Sequence, residues 1–215
     1  MIGLKMEKMN RVKIIENYLD TVYPNPKCEL NYNTDYELLI AVVLSAQATD
    51  KSVNLVTPKL FSKYPNIKAL KEANLDDIIN IIHSIGTHNR KAYYVKEIAR
   101  ILDEEYDGIV PSSRVSLEKM PGVGRKVSKV VLSELFKIPS IAVDTHVDRV
   151  SKRLGLVNEK DTVLEVEKKL KRYFNKENWS KRHLQLVLFG RYKCKSARPL
   201  CDTCPLKDIC KYEKK

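Results

Sequence analysis

An all-α fold is predicted, and three observations predict it. Apolar residues recur at spacings of three and four along most of the chain. No run alternates apolar and polar residues between turn signals, as a half-buried strand would. Pro24-Asn25-Pro26, Gly86, Pro139 and Gly155 fall where the periodic segments end.

The segments follow in order. Residues 11–22 carry Val12, Ile15, Leu19 and Val22 on one helical face, and the Pro-Asn-Pro stretch ends them. Residues 36–47 are apolar on most faces, which suits a buried helix. Residues 50–64 place Val53, Val56, Leu60 and Phe61 together. Residues 75–84 carry Ile78, Ile79, Ile81 and Ile82, and residues 91–105 carry Tyr94, Ile98, Ile101 and Leu102. Residues 117–136 read as helix, then Met120-Pro121-Gly122-Val123-Gly124, then helix again. Residues 144–154 form a helix stopped by Gly155, the residue type favoured just past a helix end. Residues 163–174 are amphipathic, and residues 184–192 lead into a cysteine-rich end.

The chain of 215 residues is long enough for one or two domains with a real core, and its apolar share of 43% is ordinary for a globular protein. The longest apolar run, Leu38 to Leu44, is too short to span a bilayer. Met1 to Asn10 carry charges without an apolar stretch, so no secretory signal is expected. A soluble, cytoplasmic, monomeric protein is expected. The net charge of +12 suits a polyanionic partner, and composition alone leaves that reading level with the plainer one of a solvated surface.

Three motifs carry chemistry. In Leu117-Glu118-Lys119-Met120-Pro121-Gly122-Val123-Gly124-Arg125-Lys126, two glycines allow a tight turn and close approach of another backbone. The helix that follows points its free N–H groups at whatever rests on the turn, which suits a phosphate. A glycine turn alone would read as a plain helical hairpin. The basic pair beyond it, on a strongly positive chain, favours DNA. In Val143-Asp144-Thr145-His146, Asp144 taken alone reads as the N-cap of the next helix, worth roughly 1 kcal/mol. His146 alone reads as structural, and Asp148 with Arg149 as a surface or interhelical pair. Four of the five cysteines fall at the end as Cys194-x6-Cys201-x2-Cys204-x5-Cys210, close enough to share a metal centre. The spacing alone leaves zinc ahead of an iron–sulfur cluster. Cys28 stands apart and reads as a small core residue.

Together these motifs resemble the endonuclease III family of DNA glycosylases, within the helix-hairpin-helix superfamily. The resemblance runs over nearly the whole chain. It includes Leu38-Leu39-Ile40-Ala41-Val42-Val43-Leu44-Ser45-Ala46-Gln47-Ala48-Thr49-Asp50, the hairpin, Ile141-Ala142-Val143-Asp144-Thr145-His146, and Gly190-Arg191-Tyr192 before the cysteines. It implies an all-α protein of two domains: a six-helix domain at residues 28–138 with the hairpin, and a helical domain from residues 1–27 and 139–215 closed by a 4Fe-4S cluster. A DNA-binding cleft would lie between them. The cluster ligands would be Cys194, Cys201, Cys204 and Cys210.

The resemblance also implies roles. Lys126 would be a Schiff-base lysine and Asp144 its catalytic aspartate, so that the enzyme excises oxidised pyrimidines from damaged double-stranded DNA and cuts 3′ of the abasic site by β-elimination. A carboxylate beside an amine stabilises the ammonium form, so Asp144 is read as taking a proton during attack or stabilising positive charge on the sugar. Gln47 would fill the gap left by the flipped base. Gly122, Val123, Gly124, Arg125, His146, Lys195 and Arg198 would contact DNA. Related adenine glycosylases lack the hairpin lysine, so Lys126 argues against that branch. The chain departs from the family where Gly86 is followed by Thr87-His88-Asn89 rather than by Leu, which leaves Thr87 or His88 as the wedge. A glycosylase of the same fold with another base preference is the first alternative. A DNA-binding module with a structural metal would not require Lys126 and Asp144 together, and an iron–sulfur electron carrier would have no use for the +12 charge and the hairpin.

Overall fold

The apolar periodicity is realised as eleven α-helices and two 3-10 turns, with no strand among the described residues. The computed structural model describes residues 2–212, with side chains described from residue 7. The chain folds as two compact units, one running to Lys27 and resuming at Ile138, the other spanning Cys28–Lys137.

The first helix, α1 (Ile2–Val22), belongs to the first unit. The second unit is built on α2 (Asp35–Leu44), whose residues Tyr36 to Leu44 are all buried. Thr34 caps it by accepting from the Glu37 amide, and the Glu37 carboxylate accepts from Asn33 N at 2.6 Å. Around this rod lie α3 (Asp50–Lys63), α4 (Ile67–Glu72), α5 (Leu75–Ile82), α6 (His88–Tyr106), α7 (Arg114–Leu117) and α8 (Arg125–Phe136). Val53, Leu60, Ile78, Ile82, Val95, Ile98, Leu102, Val131 and Leu132 close the core against α2. Fully burying an aliphatic side chain of this kind contributes about 1.5–3 kcal/mol.

The first unit continues with α9 (Thr145–Arg153), α10 (Val163–Tyr173) and α11 (Trp179–Tyr192). Its core joins Ile15 and Leu19 of α1 to Val147, Val150, Leu170, Leu186 and Phe189. Thr162 and Glu165 make a reciprocal capping box at the start of α10.

Three departures from periodicity have physical reasons. The helix α4 has only six residues and two buried apolar side chains, Ile67 and Leu70, too few to set a period. Helix α6 starts at His88 rather than residue 91, because its first turn is polar. Helix α11 starts at Trp179, five residues before residue 184, because Arg182, His183 and Gln185 are polar yet buried. Arg182 reaches Asp20 with two nitrogens at 2.7 and 2.9 Å, and Glu16 at 3.1 Å. Gln185 donates to the Leu19 and Tyr23 carbonyls. The Arg182 guanidinium holds the Asp20 carboxyl well below the usual carboxylate range. No helix among the described residues is long and apolar enough to cross a membrane.

Candidate active site

In the Cys28–Lys137 unit, the glycine hairpin joins α7 to α8. Gly122 has φ +78, the left-handed region that L side chains rarely adopt. A Cβ there would lie 2.6 Å from Tyr94 Cδ2 and 3.1 Å from Val43 Cγ1, so the turn packs directly on α6 and α2. Gly124 differs: its φ is −92 and a Cβ there would meet nothing within 4 Å. It occupies the N-cap of α8 with no side-chain cap bond. The two glycines thus serve different ends. One lets the chain fold tightly, and the other keeps the approach to the first turn of α8 open. Arg125 and Lys126 are the first two residues of that helix, and both are exposed, as Thr87 is, whereas His88 is half-buried. Val123, by contrast, is buried in the core.

Two loop tips in the same unit hold non-glycine residues in left-handed backbone, Gln47 at φ +55 and Thr87 at φ +58. Both are exposed. Gln47 lies in the turn after α2, and Thr87 occupies the N-cap of α6, where its hydroxyl donates to the Gly86 carbonyl at 2.6 Å. A Cβ on Gly86 would lie 3.9 Å from the Gln47 carbonyl oxygen, so the tips are neighbours. Such backbone costs of the order of 1–3 kcal/mol per residue and persists only where the surroundings enforce it.

In the other unit, Asp144 is the N-cap of α9. Its Oδ1 accepts from His146 N at 2.9 Å and from Val147 N at 2.8 Å. The plain reading of Asp144 as a cap is therefore correct, and the cap fixes the orientation of the carboxylate. His146 lies under Gly190, where a Cβ would come within 2.9 Å of the His146 Cβ. Arg149 Nη2 lies 3.2 Å from His146 Nδ1. Burial pushes the His146 imidazole down, so the ring is neutral at pH 7.

The Asp148–Arg149 pair expected from sequence does not form. Neighbouring helical residues point apart, and Asp148 pairs instead with Lys152, one turn on, at 2.9 Å. Arg149 spans from α9 to the Gly190 carbonyl at 2.9 Å and the Cys194 carbonyl at 3.2 Å. Arg153 donates to the Lys195 carbonyl at 2.7 Å and to Cys194 Sγ at 3.6 Å, and lies 3.9 Å over the Tyr212 ring. Neither arginine was singled out from sequence as a support for this segment. Basic residues at helical spacing read as solvated, and their partners here are mostly backbone carbonyls.

Cys194, Cys201, Cys204 and Cys210 are all half-buried and line one cavity of about 180 Å³, with Leu154, Phe189 and Tyr212. Among the described residues no three His, Cys, Asp or Glu side chains converge as they would on a single ion. Four soft sulfur donors lining one cavity are a donor set whose chemistry suits a sulfur-ligated metal centre. Burial pushes the Cys204 and Cys210 thiols up. Lys195 and Arg198 stand exposed on the loop between the first two cysteines. Cys28 packs against the core of its own unit.

Residues 40–176 match the HhH-GPD superfamily of base excision DNA repair proteins. Endonuclease III of Bacillus subtilis (strain 168) is 47% identical over 206 residues, covering 94% of each chain. A solved non-covalent endonuclease III–DNA complex superposes with a TM-score of 0.91 at 44% identity, covering 94% of this chain and 95% of that one. A trapped endonuclease III–DNA covalent intermediate superposes with a TM-score of 0.90 at the same identity and coverage. With its hairpin, its capped aspartate and its ring of thiols on this all-helical frame, the chain belongs to the HhH-GPD superfamily, in the endonuclease III family, and is a base excision repair DNA glycosylase.

Proposed function

We propose that the chain is a bifunctional glycosylase and abasic-site lyase that removes oxidised pyrimidines from duplex DNA. The carrying observation is the placement of Lys126: exposed, in the first turn of α8, directly beyond a hairpin whose Gly124 leaves that turn open. The likeness to a relative captured as a covalent DNA intermediate supports a nucleophilic mechanism.

A base stacked in duplex cannot be attacked at its sugar, so the nucleotide is first flipped out. Gln47 fills the vacated stack, and Thr87 or His88 presses on the opposite strand. The neutral Lys126 amine attacks C1′, the C1′–base bond breaks, and the base leaves with a proton. Opening of the sugar ring converts the adduct to an imine. The imine acidifies the C2′ proton. Its removal expels the 3′ phosphate oxygen, and water then releases the lysine. Asp144, held by two backbone amides, takes the proton or offsets the positive charge developing on the sugar. The hairpin residues Gly122, Gly124 and Arg125, together with His146, Lys195 and Arg198, bind phosphates, whereas Val123, its side chain buried and its N–H bonded to the Met120 carbonyl, anchors the turn.

Cys194, Cys201, Cys204 and Cys210 would hold a 4Fe-4S cluster. When bound, that group would supply a rigid anchor for the loop bearing Lys195 and Arg198, which Arg149 and Arg153 already brace from α9.

The test is a labelled duplex bearing thymine glycol. The protein alone should yield a strand cut 3′ to the lesion without heat or alkali. Base release with an intact strand would leave a glycosylase and remove the lyase assignment.

A further inference from the structure

Lys91 lies in the first turn of α6 and is buried, with 3% of its surface exposed. A lysine is almost never buried to this extent without a partner. Its Nζ donates to the Ala46 carbonyl at 2.6 Å, one residue before the left-handed Gln47. Its backbone N–H donates to the Thr87 carbonyl at 3.0 Å, closing the first turn of α6 on the left-handed Thr87. One residue therefore grips both strained tips, one through its side chain and the other through its main chain. No other side-chain hydrogen bond described for residues 45–48 leaves that turn and its flanking caps. Burial and the neighbouring Arg90 both push the Lys91 amine down, so the ammonium is kept there against a desolvation cost that Met or Leu would not carry.

We propose that Lys91 is a positioning residue that locks the Gln47 and Thr87 tips into one rigid wedge, so that both enter the duplex in register when a base is flipped. The inference rests on the reading of Gln47 and Thr87–His88 as stack-filling groups. Lys91 touches no substrate in this account. Its ammonium acts only through the Ala46 carbonyl, and a long apolar side chain of similar volume would leave the turn at Gln47 untethered.

The experiment compares wild type, Lys91→Met, Gln47→Ala and the double variant. Each is assayed in single turnover for excision of thymine glycol from duplex and for cleavage of an abasic site in single-stranded DNA, where no stack has to be filled. Displacing a positioned group costs up to about a hundredfold, so Lys91→Met should lower the ratio of the two rates by roughly tenfold or more. Gln47→Ala should lower the same ratio, and the double variant should fall by less than the product of the single losses. A lowered ratio for Gln47→Ala with an unchanged ratio for Lys91→Met overturns the role of Lys91 alone. An unchanged ratio for Gln47→Ala overturns the stack-filling reading and the inference with it. Fully multiplicative losses would show that Lys91 acts elsewhere. Should Lys91→Met fail to fold, wild-type protein labelled with 15N-lysine decides the matter. One ammonium should exchange slowly with water and give a cross-peak to the Gln47 amide, whereas uniformly fast exchange would overturn the clamp.

Discussion

Substituting the two hairpin glycines one at a time should separate folding from binding. Gly122→Ala places a methyl 2.6 Å from Tyr94 Cδ2 and 3.1 Å from Val43 Cγ1, in backbone at φ +78. The left-handed conformation costs an L residue roughly 1–2 kcal/mol. Forcing a methyl into packed surroundings costs roughly 1–3 kcal/mol more. The loss of stability should be about 2–5 kcal/mol. Gly124→Ala meets nothing within 4 Å at an ordinary φ of −92. Alanine is a poorer N-cap than glycine, but it restrains the unfolded chain, so the two effects nearly offset and leave stability within about 0.5 kcal/mol. Its methyl instead intrudes on the approach to the α8 amides. Urea unfolding should show a lower midpoint at unchanged slope for Gly122→Ala and none of that for Gly124→Ala. Affinity for abasic-analogue DNA at fixed salt should fall for Gly124→Ala. Equal midpoints for the two variants, or unimpaired binding by folded Gly124→Ala, would refute the division of labour.

Further outcomes follow from the same geometry. Asp144→Asn retains a side-chain oxygen for the His146 and Val147 amides, so it should melt close to wild type while losing about a hundredfold or more in single-turnover excision. Asp144→Ala should also lose roughly 1 kcal/mol of stability in denaturant titration. Purified protein should be brown with about four irons per chain by elemental analysis, since four thiolates hold such a cluster. Cys28→Ser should keep the colour and Cys204→Ser should lose it. Because Arg182 depresses Asp20, this pair stabilises the fold above the ordinary carboxylate range near pH 4 and loses that contribution as pH falls through the depressed value. Asp20→Asn should therefore flatten the acid limb of a plot of melting temperature against pH, and an unchanged limb would assign the acid sensitivity elsewhere.

Most helices were legible because they bury an apolar stripe, and Asp144 caps α9 as its residue type predicts, while the caps Thr34 and Thr162 emerged only from the structure. The cysteine cluster was legible because its four residues fall within one short stretch. What escaped reading shares one property: polar side chains buried against backbone. Lys91, Arg149 and Gln185 each find carbonyl partners, two of them more than forty residues away and Gln185 farther still along the chain. No pattern of residue types encodes a carbonyl partner. The difference between Gly122 and Gly124 was hidden for a related reason, since only the positions of Tyr94 and Val43 show which one the packing requires.

The central claim is that the Lys126 amine bonds to the sugar, and borohydride trapping tests it most directly. Wild-type protein mixed with thymine glycol duplex and borohydride should give a covalent complex on a denaturing gel, with the adduct mapped to Lys126 by mass spectrometry. Lys126→Gln should still bind DNA and trap nothing, and Lys126→Arg, which keeps the charge without a nucleophilic amine, should be equally inert. An adduct on another residue, or an active and trappable Lys126→Arg enzyme, would contradict the account.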